Sequence, residues 1–79
     1  MTNRYYLSSY DVDTDEQVES IETTPRVYEV VKATLGAKFN PYQDQYVITP
    51  SICHQLEICD SFRIPSNPKV EWFLEIYSS

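Results

Sequence analysis

One glycine, Gly36, occurs in the 79 residues, and no other feature limits the fold as much. Phosphate-cradling loops and dinucleotide-binding turns need several positions without a Cβ, so neither can be built from this chain. Gly36 also marks a helix end, since it stands where a C-terminal cap favours a left-handed residue. Upstream, Thr24-Pro25 carries the matching start signal: a hydroxyl for the free amides and a ring whose fixed φ suits the first helical position. Between them Val27, Val30, Val31 and Leu35 repeat at three and four. The spacing predicts an amphipathic helix over residues 25–35.

The flanking segments read as follows. Residues 4–10 are rich in aromatics and form a first strand. Ala37-Lys38-Phe39 and Gln45–Thr49 make a short hairpin around the turn chemistry of Asn40-Pro41-Tyr42-Gln43-Asp44. Pro50-Ser51 opens a second helix, with Ile52, Leu56 and Cys59 on one face and Ile58 and Phe62 beside it. Ile64-Pro65-Ser66-Asn67-Pro68 cannot be helical, because two prolines bracket it. The last segment alternates: Val70, Trp72, Leu74 and Ile76 point one way, Glu71, Phe73, Glu75 and Tyr77 the other. That is a well-paired, half-buried strand. The two helical units echo each other at an offset of 25, with Thr24-Pro25 matching Thr49-Pro50.

These elements give a single α+β domain over residues 1–79. The expected order is βαββαβ, a ferredoxin-like split βαβ sheet, with an acidic loop at 11–23 between the first strand and first helix. A rival arrangement pairs residues 17–23 with the first strand as an extra hairpin. No aliphatic or aromatic run exceeds three residues, as in Trp72-Phe73-Leu74, which excludes a membrane-spanning helix. The N-terminal residues lack the apolar stretch of a secretory signal. Cys53 and Cys59, six helical residues apart, stand roughly 9 Å from each other along the axis, too far for a disulfide. Free thiols fit a cytoplasmic protein, or the host cytoplasm if the chain is viral.

Charge is the main functional signal. Twelve Asp and Glu oppose six Lys and Arg, for a net charge of −6, which argues against direct nucleic-acid binding. Among the first 24 residues six carboxylates face one cation, Arg4, so five of those six net charges lie in that third of the chain. Asp11, Asp13, Asp15, Val18 and Glu22 also occupy positions 1, 3, 5, 8 and 12 of a loop that resembles the EF-hand calcium loop. Asp11, Asp13, Asp15 and Glu22 would be its ligands. The resemblance departs where Glu16 replaces the glycine of the sharp turn. In an extended chain, Asp11, Asp13 and Asp15 would form a row about 6–7 Å apart, crudely similar to a phosphate strand.

Cysteine and histidine offer little chemistry. Cys53, His54 and Cys59 do not make a four-ligand zinc set, and His54 is the sole His. Tyr6, Tyr10, Tyr42, Tyr46 and Tyr77 fall on strands or turns, where tyrosine serves either a small core or an interface. The chain is therefore expected to be non-enzymatic and free of cofactors. The leading expectation is an acidic interaction module, monomeric or homodimeric, that occludes the basic nucleic-acid-binding surface of a larger protein. A virus- or mobile-element-encoded inhibitor of a defence complex, mimicking DNA, would act this way. Its carriers would be Asp11, Asp13, Asp15, Glu16, Glu19 and Glu22, with Tyr6 and Tyr10 as apolar anchors. The alternatives are a calcium-binding module and a small constitutive subunit docking through Phe73 and Tyr77.

Overall fold

Both Thr-Pro pairs open helices in a computed structural model of the chain, which describes residues 3–60, 64 and 67–78. The helices are α1 (Pro25–Leu35) and α2 (Pro50–Asp60); the strands are β1 (Asn3–Asp11), β2 (Gln17–Thr23), β3 (Gln45–Val47) and β4 (Val70–Ser78). The two starts are capped differently. Thr49 Oγ1 accepts the Ile52 N–H at 3.3 Å, whereas the Thr24 hydroxyl makes no such bond and the Val27 N–H goes to the Thr24 carbonyl instead. Gly36 takes the positive φ expected of it, 56°, and its N–H closes α1 on the Lys32 carbonyl. Among the described residues, no helix is long and apolar enough to cross a membrane.

The four strands form one antiparallel sheet in the order β2-β1-β4-β3. The small α+β class with one sheet is as expected, but the chain runs ββαβαβ, not the βαββαβ order of a ferredoxin-like split βαβ sheet, because residues 17–23 form a hairpin with β1 before the first helix. The rival hairpin reading of residues 17–23 matches the observed pairing. Most of the segment expected as an acidic loop at 11–23 is strand, and Glu19 and Glu22 fall on opposite faces of β2. Glu19 lies across from Ser9 and Glu22 across from Tyr6, so alternation separates the like charges while β1 satisfies the backbone. The acidic loop shrinks to Val12–Glu16.

Two further expectations fail locally. Ala37-Lys38-Phe39 is no strand: Gly36–Lys38 form a 3-10 turn, closed by the Phe39 N–H on the Gly36 carbonyl. The Phe39 ring is drawn inward, stacked 5.5 Å from Tyr46 at an interplanar angle of 9°. Consequently, among the described residues, β3 pairs with β4 instead of forming a hairpin with residues 37–39.

The core lies between the helices and one sheet face. Val27 and Val31 of α1, Ile52 and Leu56 of α2, and Leu7, Tyr46, Trp72 and Leu74 of the sheet are buried together. As expected, β4 is well paired, with β1 on one side and β3 on the other, and turns its apolar set inward. Ile58 is exposed; the side chains of Cys59 and Phe62, expected near this core, lie outside the described residues, as do Pro65 and Ser66.

Candidate functional site: the uncovered sheet face

Both helices pack on the same side of the sheet, so register decides what the other side displays. Tyr6, Ser8 and Tyr10 of β1 lie across from Glu75, Phe73 and Glu71 of β4. Gln45 and Val47 of β3 lie beyond, across from Glu75 and Phe73. No described element covers this side. Its rings nevertheless pack in two edge-to-face pairs, Tyr6 with Tyr77 at 5.5 Å and Tyr10 with Phe73 at 5.7 Å. Beneath them Ser8 is fully buried, its hydroxyl 3.0 Å from that of Ser20 in β2.

At the centre sits Glu75, only 8% exposed although it belongs to the uncovered side. A carboxylate withdrawn from water needs hydrogen-bond donors. Tyr10 donates to Oε2 at 2.6 Å and Gln45 Nε2 to the same oxygen at 3.0 Å, while Tyr77 reaches Oε1 at 3.4 Å. The strand partner of Tyr10 is Glu71, two same-face positions from Glu75, so the Tyr10 ring lies along the sheet instead of standing off it. The hydrogen bond to Glu75, with burial, pushes the Tyr10 hydroxyl up to about 12. The charge of Glu75, with burial, raises Tyr77 as well.

The acidic hairpin rises at one end of this face. Asp11 organises it: its carboxylate accepts the N–H groups of Asp13 at 2.8 Å and Thr14 at 3.1 Å, while its carbonyl accepts that of Asp15 at 2.8 Å. Asp15 completes the reversal with a left-handed φ of 61°. Behind the turn is a cleft of about 220 Å³, lined by Tyr10, Asp11, Asp15, Gln45, Glu71 and Phe73 among others. Three acidic residues and two aromatic ones therefore line one cleft, and among the described residues no lysine or arginine does. Lys69 joins the hairpin through its carbonyl, which accepts the Val12 N–H at 3.0 Å.

The expected site residues are thus divided. Asp11, Asp15 and Tyr10 come together. Asp13 and Glu16 are exposed at the hairpin without lining the cleft, and Glu19 lies on the helix side of β2. Glu22 and Tyr6 face each other on the uncovered side, where the Tyr6 hydroxyl and then the charge of Glu22 raise the Arg4 guanidinium further. The residues absent from the expectation are Glu71, Glu75 and Gln45. The alternation of β4 identified the first two as outward, but not that the hairpin would stand beside them.

The calcium spacing is present without calcium-loop geometry. Glu22, its distal oxygen, sits within β2 because a hairpin and not a helix follows the acidic turn. Among the described residues, no three His, Cys, Asp or Glu side chains are grouped to hold a metal ion.

A second groove, about 460 Å³, runs on the helix side between α2 and β4, bordered by Cys53, His54, Glu57 and Trp72 among others. Cys53 is half-buried against the core and its thiol is raised, by burial first and then by Glu57. His54 is exposed. A raised thiol is the opposite of an activated nucleophile.

The other tyrosines serve the core or the surface. Tyr28 packs among Tyr5, Phe39 and Tyr46, and the Tyr46 hydroxyl donates to the Asn40 carbonyl at 2.5 Å. Tyr42 is 91% exposed. No protein-family model, curated protein or solved structure matches this chain.

Proposed function

We propose that the protein is a non-enzymatic interaction module that covers a basic surface on a larger protein, in the manner of an inhibitor that displaces nucleic acid. One observation carries this reading: Asp11, Asp15 and Glu71 line, together with Tyr10 and Phe73, a cleft at the edge of a sheet face that no described helix covers. Carboxylates steer a cationic partner and set its orientation, while adjacent rings supply the desolvated area that holds it. A virus- or mobile-element-encoded antagonist of a defence complex is the biological form this chemistry suits best.

The test is capture of a partner at low and at high salt, with an Asp15→Asn/Glu71→Gln variant as control. The reading expects a partner that normally binds DNA or RNA, whose capture fades with salt and with the double variant. It also expects the added protein to displace nucleic acid from that partner. A partner held equally by both forms at high salt would favour a second reading, a constitutive subunit docked through Phe73 and the half-exposed Tyr77, which shares an edge-to-face contact with Tyr6.

A further inference from the structure

The uncovered face has features that a general acidic surface does not need. Its rings are held before anything docks: Tyr10 is pinned by Glu75 and wedged on Phe73, and Tyr77 is tied to both Glu75 and Tyr6. Side chains already fixed in place lose little freedom on binding. The Tyr10–Phe73 planes meet at 73°, so this pair offers both a ring face and a ring edge at the cleft wall. Asp11, Asp15 and Glu71 line the same cleft.

A planar cation can lie against a ring and donate to several carboxylate oxygens at once; an ammonium is a strongly hydrated point charge and does this less well. Resting on the interaction-module reading, we propose that this face docks an extended, arginine-bearing segment of the partner protein, with one guanidinium entering the cleft beside Tyr10 and Phe73. The charge argues for that occupant over a second copy of the chain. Each molecule carries −6, and two identical faces would set Asp15 and Glu71 against the same carboxylates. Glu75 is a positioning residue here: it accepts the Tyr10 hydroxyl and does not itself line the cleft.

The experiment uses the full isotope-labelled chain, titrated with a blocked arginine–serine repeat peptide and with its lysine–serine twin, followed by backbone chemical shifts. The expected result is binding of the arginine peptide about three- to thirtyfold tighter than its twin, the range a cation–ring contact supplies. Shifts should concentrate on Tyr10, Asp11, Asp15, Gln45 and Phe73. Phe73→Leu should erase the arginine preference while leaving weak charge-driven binding, and its spectrum shows directly whether the fold survives. Glu71→Gln, on the exposed side of β4, is the second variant and should weaken both peptides.

Equal affinity for the two peptides, or shifts centred on Glu19 and the helix side, would overturn this proposal and leave the acidic-module reading standing. Absence of binding by either peptide would overturn both. Self-association that rises with concentration and disappears in Phe73→Leu would assign the face to a second copy instead.

Discussion

The Tyr10 hydroxyl donates a 2.6 Å hydrogen bond to Glu75 Oε2 across a sequence separation of 65 residues. It joins the first strand to the last on the side of the sheet away from the helices. The bond stabilises neutral Tyr10, which is why its hydroxyl is pushed up to about 12 from an ordinary value near 10. A group whose pKa is raised by folding contributes stability that is complete below its unfolded pKa. That contribution fades as pH rises through the folded value.

Alkaline titration should therefore lower the stability of the protein progressively between about pH 10 and pH 12. Tyr10→Phe should flatten the pH dependence across that interval, as followed by tyrosinate absorbance and circular dichroism together. At neutral pH the same variant should lose about 1–2 kcal/mol, because the nearly buried Glu75 then lacks its shortest donor. An unchanged alkaline midpoint would show that Tyr10 does not couple to folding.

Asp15 occupies a left-handed backbone conformation at φ 61°, where a Cβ costs roughly 1 kcal/mol relative to glycine. Asp15→Gly should leave stability equal or up to about 1 kcal/mol higher. The same change removes a cleft carboxylate, so affinity for a cationic peptide should fall. Opposite movement of the thermal midpoint and the binding constant is the diagnostic result; parallel losses would mean that Asp15 acts through the fold.

Gly36 combines φ 56° with ψ −120°, a region almost closed to side chains. Space is not the obstacle, since a Cβ there would meet nothing within 4 Å among the described residues. Gly36→Ala should still cost about 1–3 kcal/mol through backbone strain alone. Urea unfolding measures it, and a loss under 0.5 kcal/mol would show that the turn relaxes into another conformation.

Leu74 is fully buried at the centre of β4, against Leu7 and both helices. Leu74→Ala should cost about 2–5 kcal/mol, a large share of the stability a chain this small commands. Val47, 47% exposed on the uncovered side, should lose less than about 0.5 kcal/mol when cut to alanine. Equilibrium unfolding of the pair checks the assignment of faces directly.

Where the structure agreed with expectation, the signals were local. The ends of α1 at Pro25 and Leu35 follow from a proline that sets its own φ and a glycine that tolerates a positive one. The alternation from Val70 to Tyr77 likewise needs no distant partner to be legible. β2 was obscured for the opposite reason: Glu19 and Glu22 look repulsive in sequence and are separated only once the strand alternates beside β1. Phe39 looked like a strand residue and became the end of a 3-10 turn, because its stacking partner Tyr46 sits on another element. At the candidate site, the acidic hairpin and outward β4 residues were each visible. Their meeting in one cleft was not, since it depends on β4 lying next to β1.

Sequence alone determined two helices, a buried alternating strand, the absence of a glycine-built phosphate loop and an acidic N-terminal third. These depend on dihedral limits, side-chain periodicity and formal charge, all of which act over a few residues. Only tertiary structure decided the order β2-β1-β4-β3, which carboxylates stand together, and that Glu75 would leave water to hold Tyr10. Strand neighbours are chosen by long-range burial and backbone pairing, and a carboxylate's surroundings are set by whichever strand arrives beside it.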